Sequence, residues 1–309
     1  MPRTVELTLP AAYTATVLEE IQRISGIISL RLQRGASLKP VGDVVSLEIT
    51  DLALPTLMRL IARQQQLHPE VSLSTSQPLS VISSSHSQEI STDVREATWE
   101  EMESMISRDS NMNTNGLLTM VLAGIIAAVG ISTNAVHLVV GAMVIAPGFE
   151  PIVRVPLGII GKHATWKRGV IDTGKGYAAM LVAAALAALV LRAIGQDTLD
   201  GSASYLKEGT LLAYWTTITP ASLLASATAS FAGALVIATH KSVLTAGVMI
   251  ALALVPTATL TGMALVEGEW DIAGQAALRW LLEVLLVIGL SVVVIIWKKG
   301  AVQRRNLLS

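Results

Sequence analysis

The stretch from His137 to Ile160, HLVVGAMVIAPGFEPIVRVPLGII, is apolar enough to enter a bilayer, yet Pro147, Gly148, Phe149, Glu150 and Pro151 interrupt it and Arg154 follows four residues after the glutamate. Irregular backbone at membrane depth survives only where protein or a water-filled cavity surrounds it. A charge at the centre of a spanning helix costs about 2.5 to 3.5 kcal/mol on insertion scales. A chain that keeps both features puts them to use.

The composition, 52% hydrophobic overall, averages two unlike parts. Residues 1–113 hold nine Lys and Arg against fourteen Asp and Glu; residues 114–309 hold thirteen against nine, together with the long apolar runs. Neither part has the clustered basic face of a nucleic-acid binder. With no cysteine, there is no disulfide framework, thiol nucleophile or thiolate metal site. Met1 to Pro10 lacks the charged and apolar regions of a signal peptide, which places the amino-terminal part in the cytoplasm.

Taken in order, residues 4–9 alternate like a half-buried strand, and Ala11 to Ser25 shows helical spacing through Val17, Leu18, Ile21 and Ile24. Ile27 to Leu32 and Val44 to Ile49 read as strands. Asp51 is placed to cap a helix through Leu54, Leu57, Leu60 and Ile61 with Pro55 in its first turn. Val71 to Ile82 supplies a fourth strand with a possible break at Pro78. The order βαββαβ suits an α+β cytoplasmic domain of ferredoxin-like form over residues 1–85. It contains no glycine-rich phosphate loop or metal-spaced cluster, so an assembly role and a ligand site both stay open. Residues 86–113 form an amphipathic linker, helical from Thr92 to Ser110, with Trp99 as a headgroup anchor.

The transmembrane domain, residues 114–309, is an all-α polytopic unit of six spans near 115–131, 135–160, 176–194, 219–238, 242–266 and 275–297, each close to the length needed to cross the hydrocarbon. Thr219 and Pro220 make an N-cap and first-turn pair. With the amino terminus inside, Lys162, Lys167, Arg168, Lys175, Lys241, Lys298, Lys299, Arg304 and Arg305 all face the cytoplasm, as lysine and arginine near membrane ends favour. Asp197, Asp200, Glu208, Glu267, Glu269 and Asp271 face outward, with Lys207 alone dissenting. Both termini are then cytoplasmic in a multi-pass protein of the inner membrane.

The segment VVGAMVIAPGFEP has a counterpart in TAGVMIALALVP. Gly141 and Met143 match Gly247 and Met249, Pro151 matches Pro256, and the starts near Asn115 and Thr219 keep nearly the same offset. Three spans per copy put the second copy upside down, the 3+3 inverted repeat of many secondary transporters, with two broken helices meeting near the midplane. In the first break, Pro147 and Gly148 end one half-helix and Pro151 suits the first position of the next. That leaves Glu150 where the helix dipole favours an anion and Arg154 within side-chain reach. The pair is either part of the pathway or a buried structural ion pair. Thr257 and Thr259, with Thr261, follow Pro256 and could offer hydroxyls to a solute or simply bond their own backbone. Ser222, Ser226 and Ser230 make a stripe that reads first as a helix-packing surface. Glu283 lies deep in the last span, with Arg279 one turn earlier as the plain partner. Asn134 is a further candidate; His137 and His240 sit near span ends.

At GAMVIAPGFEPIVRVPLGI and GVMIALALVPTATLTGMAL the sequence resembles the uncharacterised hydrophobic membrane proteins catalogued as domain of unknown function 389, over roughly residues 110–298. The resemblance implies a membrane domain carrying an I-G-A-M-x-I-A-P-x-x-x-P segment and an A-x-A-L-V-P-P segment, often behind a small amino-terminal α/β domain. Val140 replaces the family's isoleucine, Thr257 stands where a second proline is common, and Glu150 lies at a variable position. The expectation is a transporter or channel for a small solute or ion. Its partners are the lipid bilayer and that unknown solute, with assembly as a homo-oligomer and no nucleic acid. It is not an enzyme, and it has no cofactor and no metal. The alternative is a membrane-anchored ligand sensor or scaffold that transports nothing.

Overall fold

The computed structural model describes residues 2–78, 80–93, 102, 104, 106, 107, 110–161, 165–195, 210–239 and 245–305. The chain divides into two compact units, Met1–Thr98 and Trp99–Ser309. Most of the expected linker helix, including Trp99, lies outside the described residues. So do the charged connections bearing Lys162, Asp197, Asp200, Lys207, Glu208, His240 and Lys241.

In the first unit the order is β1 (Arg3–Leu9), α1 (Ala11–Gln22), β2 (Ile27–Leu38), β3 (Val41–Ile49), α2 (Leu54–Leu67), β4 (Ser72–Ser76) and a short α3 (Ser87–Thr92). The four strands form one sheet, β2-β3-β1-β4, antiparallel at every pairing. Alternation along β1 sends Val5, Leu7 and Leu9 to one face, where they meet Val45, Leu47 and Ile49 of β3, Val17 and Ile21 of α1, and Leu54, Leu57 and Ile61 of α2. Strand β4 stops at Ser76, well short of the expected Ile82. The residues beyond are polar and lead into Pro78, which cannot donate to a ladder. Asp51 does not cap α2. Its carboxylate takes Arg3 Nε at 2.7 Å inside the unit, and the helix starts from Ala53 with no side-chain cap.

Asp43 closes the irregular end of the β2–β3 hairpin by accepting the Gly35 N–H at 2.8 Å. That bond, with help from the Thr14 hydroxyl and Arg34, holds its carboxyl below the usual carboxylate range. A depressed carboxyl stabilises the fold above its unfolded pKa of about 4 and loses that contribution as pH falls through the folded value. Hydrogen exchange at the Gly35 amide should therefore quicken on acidification, beyond the intrinsic trend, in the wild type. Asp43→Asn should already be fast at neutral pH and should lack the transition; an acid-induced loss of protection that persists in the variant would contradict this assignment.

The second unit is helical: α4 (Thr114–Ser132), α5 (Val136–Ile145), α6 (Phe149–Gly161), α7 (Thr165–Ala193), α8 (Thr210–Thr216), α9 (Pro220–Ala238), α10 (Thr245–Ala251), α11 (Leu254–Glu267) and α12 (Trp270–Arg305). Among the described residues four helices, α4, α7, α9 and α12, are long and apolar enough to cross a membrane, and the bent pair α5–α6 makes a fifth element. The region expected as a broken span at 242–266 is two short helices, α10 and α11, separated at Leu252 and Ala253. Helix α7 begins three turns before the expected 176, because its polar first turns are helical without being apolar.

Caps explain the ends. Asn113 accepts the Gly116 N–H at 2.9 Å to start α4. Thr219 and Ser222 form a reciprocal capping box ahead of α9, and Gly268, at φ 75°, ends α11 in the left-handed conformation. Large apolar side chains stay exposed on the outward faces of the long helices, among them Leu118, Leu122 and Ile125 of α4 and Val182, Leu186 and Leu189 of α7. A face of this kind in water would be an aggregation surface. The apolar helices point to a membrane protein.

Packing follows a repeated scheme. Helix α4 packs on α7 and α5, and α9 packs on α12 and α10. Helix α6 lies against α7, and α11 against α12. Each second half-helix also crosses to the other set, α6 onto α12 and α11 onto α7, while α5 meets α10.

Candidate functional site at the two helix breaks

Helix α5 ends at Ile145 and α6 begins at Phe149, with a 42° bend between them. Ala146 is extended at φ −72°, ψ 118°, the conformation that a following proline imposes. The second break is Leu252–Ala253, between α10 and α11. Pro151 is the third residue of α6, not the first as expected, and Pro256 is likewise the third of α11. In both places the missing N–H falls among first-turn donors that have no intrahelical acceptor.

At the first break, Gly148 is buried because Tyr177 of α7 lies over it. A Cβ on Gly148 would overlap the Tyr177 hydroxyl, lie 3.0 Å from Cζ and sit 3.6 Å from the Met249 methyl. The Tyr177 hydroxyl is itself buried without a hydrogen-bond partner, and its ring meets Trp280 of α12 edge-on at 5.1 Å. Trp280 Nε1 is also buried and unpartnered. Glu150 is half-buried in the first turn of α6. Gly148→Ala should cost about 1 to 3 kcal/mol by overpacking. Tyr177→Phe alone should be close to neutral, since it removes a hydroxyl that bonds nothing, and it should restore most of what Gly148→Ala loses. Thermal unfolding of the purified chain in mild detergent checks the cycle; strict additivity of the two changes would refute the contact.

At the second break, Met143, Tyr214, Trp215, Ser222, Ser226, Leu252, Ala253 and Arg279 help line a pocket of about 40 Å³, enough for ordered water or a small ion. Beside it Ser226 donates to Glu283 Oε1 at 2.6 Å. Glu283 is 3% exposed, and its Oε2 has no hydrogen-bond partner. Arg279 stands 4.0 Å from Oε1, but its Nη1 is already committed to the carbonyls of Tyr214 at 2.7 Å and Thr217 at 2.6 Å. The arginine thus fastens the end of α8 as well as facing the acid. Ser222 and Arg279 share the pocket, and one turn along each helix Ser226 meets Glu283. Helices α9 and α12 therefore run side by side in the same direction.

The remaining candidates separate. Arg154 is buried and reaches Ser110 Oγ at 3.0 Å, Asn111 Oδ1 at 3.1 Å and Asp172 Oδ2 at 3.7 Å, an arrangement that ties α6 to α7 and to the segment before α4. Thr257 donates to the carbonyls of Ala253 and Leu254, and Thr261 to that of Thr257 at 2.8 Å, so both hydroxyls serve their own helix. Thr259 is fully buried with its hydroxyl unmatched. Pro147 is half-buried at the first break. Gly141 has open space where a Cβ would stand. Asn134, exposed and at φ 53°, is the turn residue between α4 and α5, and His137 is exposed. No group of three or more His, Asp or Glu is arranged to hold a metal among the described residues.

Tyr177 was not among the sequence candidates, although a signal for it existed. The offset of 106 that carries Met143 to Met249 also carries Tyr177 to Glu283. That offset pairs a tyrosine on α7 with the buried acid on α12, and Met143 stands beside the second break while Met249 stands beside the first.

Residues 143–289 match the family model described as Domain of unknown function (DUF389). Over this segment the chain is similar to the DUF389 family. The DUF389 match takes in both breaks, Tyr177, Ser226 and Glu283. Over 220 residues the chain is 26% identical to "Uncharacterized protein MJ0678" of Methanocaldococcus jannaschii, an alignment covering 67% of this chain and 64% of that protein. No solved structure matches the chain.

Proposed function

We propose that the helical unit moves a small solute or ion across the cytoplasmic membrane, as a six-span bundle of two inverted three-span copies with both termini inside. The observation that carries this reading is the reciprocity of the two breaks: Met143 of the first copy lines the pocket at the second break, and Met249 of the second lies against Gly148 at the first. Broken helices that face each other between repeats are the usual seat of a transported solute. The crossed packing of α6 on α12 and α11 on α7 agrees with a pseudo-two-fold relation. The parallel course of α9 and α12 also fits, since α10 and α11 must then return the chain across the bilayer between them. Lysine and arginine in the connections give the orientation. The amino-terminal unit, with its ferredoxin-like strand order, acts as a regulatory or assembly domain.

The test is flux through the reconstituted full chain. A panel of labelled inorganic ions, amino acids, sugars and organic acids is offered to vesicles under proton and sodium gradients, with the wild type compared with Glu150→Gln and with protein-free vesicles. The reading expects at least one solute to accumulate above the protein-free level. Monodisperse, folded protein that moves no member of the panel under any gradient would contradict it. A ligand-induced rise in melting temperature of the same inert preparation would then favour a sensor.

A further inference from the structure

Among the described residues Glu283 combines three properties. Its carboxylate is withdrawn from solvent, one oxygen has no hydrogen-bond donor, and a pocket reaches the neighbouring turn through Ser222 and Arg279. An ionised carboxylate in such a place needs donors on both oxygens or a close counter-ion. Ser226 serves only Oε1, the Ala253 backbone N–H at the break also lies toward the carboxylate without closing a hydrogen bond to Oε2, and Arg279, at 4.0 Å, spends its Nη1 on two backbone carbonyls.

The surroundings continue the same pattern. Going from the pocket along the parallel pair α9 and α12, Ser222 and Arg279 come first, and Ser226 and Glu283 lie one turn on. Ser230 follows another turn along α9 and Ser291 two further turns along α12, both at 0% exposure with unmatched hydroxyls. Unmatched buried hydroxyls are costly in a helix interface that has no other use for them.

We infer that Glu283 is a proton-binding carboxyl of the transport cycle, loaded from water in the second-break pocket, with Ser226, Ser230 and Ser291 forming the hydroxyl-lined seam beyond it. This rests on the transport reading above and names its coupling ion. Loading forms an O–H bond at Oε2 and leaves the donor water one proton poorer; unloading returns that proton to water on the other side of the bundle. No redox partner is needed. Arg279 stays charged throughout on the Tyr214 and Thr217 carbonyls, so the Arg279–Glu283 pair alternates between net positive and neutral.

Other ionisable groups on the elements around α12 are Glu150 and Arg154 of α6, Tyr214 of α8 and Glu267 at the far end of α11, while α9 carries none; α7 meets α12 through Tyr177 and carries Lys167, Arg168, Asp172, Lys175 and Arg192 elsewhere along its length. Intramembrane acids facing a bundle interior characteristically serve as proton relays.

The experiment uses the full chain in lipid vesicles and reads two signals. Infrared difference spectra across a pH titration should show a carboxylic-acid carbonyl band that is lost in Glu283→Gln, shifted in Ser226→Ala and unchanged in Glu267→Gln. A pH dye trapped in the vesicles should report proton uptake under an imposed membrane potential, falling to the protein-free level in Glu283→Gln and persisting in Glu267→Gln. No titrating band, or one that survives Glu283→Gln, overturns the proton site. Solute flux that is indifferent to a pH gradient and survives Glu283→Gln also overturns it, and leaves transport standing. A band lost in Glu283→Gln, with no flux of any solute, keeps the protonatable carboxyl and overturns its place in transport. Size-exclusion behaviour and melting temperature verify that the near-isosteric glutamine variant is folded.

Discussion

Arg154→Met should destabilise the helical unit by about 3 to 5 kcal/mol, the cost of breaking a buried charge network from one side. The guanidinium is 5% exposed and gathers Ser110, Asn111 and Asp172 from two separate parts of the chain. Once it is gone, Asp172, also 5% exposed, keeps among the described residues only Arg168 at 3.8 Å, whose own side chain is 65% exposed. A solvated arginine screens a buried carboxylate weakly. The loss should appear in equilibrium unfolding of the purified chain in mild detergent, and adding Asp172→Asn should recover much of it. A change under about 1 kcal/mol, or no recovery in the double variant, would mean that the network carries little of the fold.

Gly262→Val should be comparably damaging, at about 3 kcal/mol or more, toward the upper end of overpacking costs. Helix α11 crosses α7 so closely that a Cβ at Gly262 would overlap the Leu181 carbonyl oxygen, with the carbonyl carbon at 3.2 Å and the Ala184 methyl at 3.3 Å. Backbone cannot rotate aside as a side chain can, so the helices must part. This crossing joins the α4–α7 set to the α9–α12 set, and parting it also loosens the second break at the start of α11. Gly289→Ala on α12 provides the contrast: nothing lies within 4 Å of its Cβ position, and alanine should stabilise that helix by up to about 1 kcal/mol. Equal effects at the two glycines would contradict the packing.

Local patterns made much of the fold legible. Alternation identified β1, and the pair Thr219 and Pro220 marked where α9 begins. Other boundaries were hidden for physical reasons. Strand β2 runs on to Leu38 through residues that are exposed on both faces, so no alternation marks its second half. Asp51 looked like a cap because its partner Arg3 is 48 residues away. The first turns of α7 are helical but polar, and hydropathy reads only the part of a helix that lipid would cover.

The site was legible as residue types rather than as pairs. Glu283 and Ser226 were both candidates, yet 57 residues separate them, and their 2.6 Å bond exists only because α9 and α12 run in parallel. Arg154 drew attention as the neighbour of Glu150; its contacts with Ser110, Asn111 and Asp172 come from segments that sequence spacing cannot bring together. Tyr177 lacked a charge and passed as an ordinary aromatic. Only the repeat offset, applied backwards from Glu283, would have singled it out.

Everything proposed for the breaks depends on the two copies being inverted, and the chain lends itself to a direct test because it contains no cysteine. Asn134, after α4, and Thr239, after α9, would be equivalent in the proposed repeat, and each follows the end of its helix. Single-cysteine variants Asn134→Cys and Thr239→Cys, challenged in intact cells and in inside-out vesicles with a membrane-impermeant thiol reagent, measure their sidedness. The inverted bundle predicts labelling of Asn134→Cys from outside only and of Thr239→Cys from the cytoplasmic side only. Labelling of both from the same side would contradict it.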